Sequence, residues 1–271
     1  MTLHPDPWPT GTPAWADLMV ADLGPVRRFY AAVLGWTYEE APAPDGTTYL
    51  TASAGGGYAA GLGDVLPDPD NPAPEWTVYL AADDLVDAVE AAEAAGGAVV
   101  VPPMDAGDSG TFAVLEDPAG AVFGLWRPGV LTGFGVVDEP GAVTWCEAMS
   151  HHPESARSFY ATVFGYTYTD HSTPGFTYDA FMVDGRLAGG IGGLPTDRSS
   201  AEPHWLVYFR VDDVDDAVAA VVRHGGTVTQ EPWDSAFGRV AVVAGPVGET
   251  FALHAELDAA VVEGRASVDP A

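Results

Sequence analysis

The 271-residue chain has no lysine, a single cysteine and no apolar run long enough to span a bilayer. Each absence excludes something. Without lysine, Schiff-base catalysis and Walker-type phosphate gripping lack their side chain. With Cys146 alone, disulfide frameworks and thiolate zinc clusters are excluded. Positive charge is scarce too: ten arginines face 39 acidic residues, a formal charge of −29. That field repels nucleic acid and anionic membranes, so neither is expected as a partner. Met1–Pro13 is polar and proline-rich and lacks the basic-then-apolar order of a signal peptide, so a cytoplasmic protein is expected. A small-molecule ligand is the expected partner, and the chain is expected to be a monomer or homodimer.

What is present is a repeat. Arg27–Tyr38 reads Arg-Arg-Phe-Tyr-Ala-Ala-Val-Leu-Gly-Trp-Thr-Tyr, and Arg157–Tyr168, 130 positions on, matches it at 8 of 12 residues. Each copy has helical spacing, Phe29 with Val33 and Phe159 with Val163, and stops at a glycine, Gly35 or Gly165. Ala14–Met19 matches Thr144–Met149, Trp76–Leu80 matches Trp205–Phe209, and Pro118-Ala119-Gly120 matches Pro246-Val247-Gly248. A period this long means tandem domains, not a solenoid of short units.

Within each copy the order β-α-β-β-β occurs twice. In the first copy Ala14–Val20 is a strand, Pro25–Leu34 a helix, and three short strands follow to Leu62. The proline-rich stretch Asp64–Pro74 breaks the pattern. It restarts with strand Trp76–Ala81, a helix capped by Asp83 or Asp84, and three more strands to Trp126. The organisation expected is an arm at 1–13, a domain at 14–130, a link at 131–142, a second domain at 143–257 and a tail at 258–271. The fold class is α+β, with four βαβββ units curling into two cupped sheets, each cup a natural small-molecule site.

Phe-Tyr-x3-Leu/Phe-Gly-Trp/Tyr, the Gly-Gly after the second helix, and Asp117-Pro-Ala-Gly-Ala-Val-Phe-Gly-Leu resemble the vicinal oxygen chelate superfamily of glyoxalase I, bleomycin-resistance proteins and extradiol dioxygenases. Trp15-Ala16-Asp17-Leu18 and Pro102-Pro103-Met104-Asp105 resemble the tandem glyoxalase-like proteins of actinobacteria. The resemblance implies a divalent metal held by His and Glu on the first and last strands of a unit. Carried over, those positions are Trp15, Trp145, Thr77, Leu206, Gly124 and Ala252, whose side chains make no such ligand set. The expectation is therefore no metal and no cofactor. In the paired-module arrangement the first unit of one repeat shares a cup with the second unit of the other, so a displaced set, Asp17 with His204 and His254, could line one cup.

Two candidate acids remain. Asp17 alternates with Trp15, and Glu147 with Trp145, so each pair projects from one strand face. Buried, such a carboxyl suits general acid–base work; otherwise both acids would pair with an arginine such as Arg27 or Arg157. The ligand-binding residues expected are Trp15, Trp145, Trp76, Trp205, His204 and His254. His151-His152-Pro153 reads as a helix start, and Cys146 as a small buried apolar residue. The expected function is a metal-independent lyase, isomerase or hydroxylase-like enzyme on a small organic metabolite, or a non-catalytic protein sequestering a drug or metabolite.

Overall fold

A computed structural model describes residues 3–42, 47–65, 74–194 and 201–257, so the tail expected at 258–271 lies outside the described residues. The first repeat holds β1 (Pro13–Val20), α1 (Leu23–Leu34), β2 (Thr37–Pro42), β3 (Thr48–Ala54) and β4 (Gly57–Asp64). Its second unit is β5 (Trp76–Ala81), α2 (Leu85–Ala94), β6 (Ala98–Asp105), β7 (Gly110–Glu116) and β8 (Val122–Pro128). The second repeat holds β9 (Val143–Ser150), α3 (Pro153–Phe164), β10 (Thr167–Asp170), β11 (Tyr178–Val183) and β12 (Arg186–Gly193). It ends with β13 (His204–Arg210), α4 (Val214–Arg223), β14 (Thr227–Asp234), β15 (Arg239–Ala244) and β16 (Thr250–Ala255).

The helix ends follow local chemistry. Asp22, Asp84 and Asp213 accept hydrogen bonds from backbone N–H groups of the first turns of α1, α2 and α4. Gly35 and Gly165 both sit at φ 70°, the left-handed conformation that lets Thr37 and Thr167 start a strand two residues later. At α3 the cap position falls to His152, yet its side chain makes no capping bond; Ser150 Oγ accepts from the His152 N–H, and Pro153 begins the helix.

Each repeat builds one eight-stranded sheet. The first runs β2-β3-β4-β1-β5-β8-β7-β6 and the second β10-β11-β12-β9-β13-β16-β15-β14. Both units of a repeat therefore share a cup, joined through the antiparallel pairs β1–β5 and β9–β13. This corrects the cross-repeat pairing on which the displaced metal set depended: Asp17 lies in one sheet and His204 and His254 in the other. Units of different repeats do meet, but back to back, with α1 on α4 and α2 on α3.

The helix faces of the two sheets enclose an aromatic core. Phe29, Tyr30, Trp36, Trp76, Phe209 and Phe251 form one half of it, with Phe29 and Phe251 crossing between repeats at a 6.2 Å ring separation. Cys146 is buried on this face, as expected of a small apolar residue. Two reciprocal hydrogen-bond chains run through the core. Trp76 Nε1 donates to Tyr30 Oη (3.0 Å), which donates to Glu249 of the other repeat (2.9 Å). Trp205 Nε1 donates to Tyr160 Oη (2.9 Å), which donates to Asp117 (2.9 Å).

The two acids come from different sequence positions. Asp117 opens its β7–β8 turn, whereas the matching turn opens with Gly245 and carries its acid four residues on, at Glu249. A Cβ on Gly245 would collide with the Glu249 carboxyl, so that carboxyl fills the space an aspartate at 245 would take. Burial pushes both carboxyls above their ordinary range. Glu249→Ala should cost about 1–3 kcal/mol, because it strands the Tyr30 hydroxyl in the core. The double variant with Tyr30→Phe should lose less than the sum. Urea midpoints check both, and strictly additive losses would show that the bond carries nothing.

The lead-in segments are repeats as well. Gly11 and Gly141, both with positive φ, present carbonyls to Tyr166 Oη and Trp36 Nε1. Phe134 and Val136 of the segment expected as a link are fully buried, and Trp8 Nε1 donates to the Phe134 carbonyl at 3.1 Å. The 131–142 stretch is packed structure. Among the described residues no helix is long and apolar enough to cross a membrane.

Candidate functional site

On the cup face of the first sheet, Trp15 and Asp17 of β1 project together, with Tyr79 directly across the strand pair from Trp15 and Thr77 across from Asp17. Tyr49 arrives from β3, opposite Gly63 of β4. Trp15 Nε1 donates to Tyr49 Oη at 2.8 Å, and Tyr49 Oη donates to Asp17 Oδ2 at 3.3 Å. The direction is forced. An indole N–H only donates, so the tyrosine hydroxyl accepts from it and turns its own hydrogen to the carboxyl.

The second cup repeats this with a glutamate. Trp145 Nε1 donates to Tyr178 Oη (2.9 Å), Tyr178 Oη donates to Glu147 Oε2 (2.7 Å), and Tyr208 Oη donates to Glu147 Oε1 (2.7 Å). Glycines make room for these rings. A Cβ at Gly61 or Gly190 would run into the Tyr49 or Tyr178 hydroxyl, and one at Gly124 into the Tyr79 ring.

Both carboxyls are buried, each with 7% of the residue exposed. Burial pushes Asp17 up to about 7, with the Tyr79 and Tyr49 hydroxyls pulling the other way. Glu147 is raised for the same reason, moderated by Tyr178 and Tyr208 and then by the charge of His204. Among the described residues neither acid pairs with an arginine. Arg157 pairs with Asp179 at 2.7 Å on the helix side, and the Arg27 guanidinium lies 5.4 Å from the Tyr38 ring centroid. The Asp17 carboxyl, near neutrality and buried against phenol hydroxyls, can take or give a proton at ordinary pH. Two surface hollows, about 370 Å³ beside Ser150 and His151 and about 410 Å³ between Trp8 and Arg186, are lined by other residues.

A sequence profile of the Glyoxalase/Bleomycin resistance protein/Dioxygenase superfamily matches residues 12–125 and 142–253. The chain belongs to that superfamily. The glyoxalase-like protein CFP32 of Mycobacterium tuberculosis is 34% identical over 247 residues, covering 90% of this chain and 94% of its own. The anthracycline biosynthesis protein DnrV of Streptomyces peucetius is 34% identical over 255 residues, covering 90% and 92%. Among solved structures, a Mn(II)-bound glyoxalase from Novosphingobium aromaticivorans superposes with TM-score 0.63 at 17% identity, covering 92% of this chain and 83% of that one. The 2,3-dioxygenase LapB from Pseudomonas sp. KL28 does so with TM-score 0.60 at 15% identity, covering 90% and 92%. At those identities the two structures share the fold.

The metal that glyoxalase-type chemistry implies does not fit these cups. Its ligand positions hold the indoles of Trp15 and Trp145, Thr77, Leu206, and a glycine and an alanine, Gly124 and Ala252, while tyrosine rings occupy the space over Gly61 and Gly124. Among the described residues no three of His, Cys, Asp and Glu cluster as a metal would need.

Of the expected ligand-binding residues, Trp76 and Trp205 face away from the cups, into the helix-side core, tied to Tyr30 and Tyr160. Strand alternation puts them one residue out of phase with Thr77 and Leu206. Trp15 is buried to 1% and supports Tyr49 from beneath, so it offers no open stacking surface; Trp145 is half-buried and supports Tyr178. His204 binds the Glu202 carbonyl at the end of β13, and His254 Nε2 lies 2.9 Å from the Phe237 carbonyl.

The sequence reading missed Tyr49, Tyr79, Tyr178 and Tyr208. The signal was available: Thr48-Tyr49 recurs as Thr177-Tyr178, and Tyr79 and Tyr208 stand two residues beyond Thr77 and Leu206, on the same strand face.

Proposed function

We propose that this superfamily member binds a small, partly aromatic or apolar organic molecule in its cups and moves a proton on it through a buried carboxyl, without a metal, in an isomerase or lyase step. The observation carrying this reading is the Asp17 and Glu147 carboxyls, both buried and held by phenol hydroxyls on the cup faces of the two sheets. The glycines at 61, 124 and 190 let Tyr49, Tyr79 and Tyr178 lie close against the strands, and a floor built this way suits a flat ligand. Anthracycline biosynthesis is the setting of DnrV, so hydroxylated polycyclic aromatic ketones are the substrates to try first.

Asp17→Asn and Glu147→Gln keep the shapes and remove the proton-transfer group. Turnover should fall by about 10²–10⁴-fold in at least one of them, the usual worth of a positioned general acid or base. Ligand affinity, read by fluorescence titration, should change far less. Full turnover in both variants would sink the proposal. Binding by the wild-type protein with no turnover of any such substrate would point instead to sequestration.

A further inference from the structure

The two cups are not equivalent, although their chains of donors are. Glutamate, one methylene longer, lets Glu147 reach both tyrosines at 2.7 Å, so each of its oxygens is occupied. Asp17 falls short. Its Oδ2 meets Tyr49 at 3.3 Å, and its Oδ1 is buried short of hydrogen-bond distance to any described group: the Tyr79 hydroxyl, the counterpart of Tyr208, acts on the carboxyl only from farther off. Because Oδ2 accepts the Tyr49 hydrogen, the carboxyl's own proton, when present, sits on Oδ1.

The aliphatic neighbours of the two acids differ as well. Leu206, Val242 and Ala252 form an apolar plug with Tyr208 beside Glu147, and all three are buried. Their counterparts in the first cup are Thr77, Val114 and Gly124, of which Thr77 and Val114 stay half-exposed. A buried oxygen without a partner is costly unless something completes it.

We infer that the first cup alone is the ligand site, and that Asp17 Oδ1 is the atom that meets a hydroxyl or carbonyl oxygen of a planar ligand. Glu147, already completed by Tyr178 and Tyr208, is the locked counterpart that holds the second sheet together. The inference rests on the proton-transfer reading above, and the choice of variants separates the two.

The test measures the stoichiometry and affinity of 1,4-dihydroxyanthraquinone by fluorescence titration and calorimetry. Wild type should bind one molecule per chain. Asp17→Glu keeps the acid but lengthens it toward the second cup's arrangement. It should weaken binding on the order of tenfold or more, the worth of one lost hydrogen bond to a buried group. Circular dichroism and the urea midpoint check that this variant folds. Glu147→Asp with Leu206→Thr makes the converse change, and two molecules per chain are expected, whatever the fate of Asp17→Glu. No binding or two sites in wild type, an Asp17→Glu protein that binds like wild type, or an unchanged count in the converse variant would each overturn it. If Asp17→Asn keeps full turnover, the proton-transfer reading fails. If Asp17→Asn is inactive but Asp17→Glu binds and turns over normally, only the asymmetry fails.

Discussion

Asparagine at position 17 should make the protein more stable at pH 8, by up to roughly 4 kcal/mol, while it removes the acid–base group of the first cup. The wild-type carboxyl is held at about 7 against an ordinary 3.8, a gap of about three units at 1.36 kcal/mol each. Because its folded value is raised, the folded state binds more protons than the unfolded chain between those two values. Stability from this group is therefore fullest below about pH 4 and is lost as pH rises through about 7. Asparagine has nothing to ionise, and its side-chain carbonyl can still accept the Tyr49 hydrogen. The stability gap between variant and wild type should open across that window and level off above it. Urea midpoints at pH 4.5, 6 and 8 measure the gap directly, and other titrating groups cancel in the difference. A gap independent of pH would show that Asp17 is ionised in the folded protein throughout. A gain in stability coupled to a loss of chemistry is what a strained functional group leads one to expect.

The repeat made most of the fold legible. Matching Arg27–Tyr38 with Arg157–Tyr168 set the phase of the whole chain, and the strand and helix boundaries then fell within a few residues of those observed. What the sequence did not carry was which units share a sheet. A βαβββ unit bonds the same way to either neighbour in one dimension, and only the β1–β5 register, Trp15 opposite Tyr79, settles the choice. That error led to the grouping of Asp17 with His204 and His254.

The site was half legible for a related reason. Asp17 and Glu147 could be found from alternation on β1 and β9. Their partners come from strands distant in sequence, with Tyr49 32 positions and Tyr208 61 positions away from the acid they serve. The Glu249 swap was hidden more deeply. Aligning Asp117 with Gly245 shows a lost acid, and only the space above Gly245 shows that Glu249 replaces it.

Restoring the glutamate that the family pattern places at Gly124 should fail, and how it fails is informative. A Cβ there would fall within the Tyr79 ring, which Phe112 flanks edge-on at 6.3 Å. The ring cannot swing clear without giving up that contact, and a second carboxyl would enter the cup beside Asp17. Overpacking of about 1–3 kcal/mol and burial of an unpaired acid act together, so Gly124→Glu should lose at least about 3 kcal/mol or not fold. Manganese should not rescue it, since Trp15 and Thr77 add no strong ligand. Adding Tyr79→Ala vacates the ring's space. The double variant should regain part of the urea midpoint lost by Gly124→Glu alone, although deleting a buried aromatic normally costs stability. That reversal of sign is the signature of two side chains competing for one volume. A Gly124→Glu protein that kept the wild-type midpoint and gained a manganese-dependent shift in melting temperature would place Tyr79 elsewhere and reopen the metal chemistry of the superfamily for this chain.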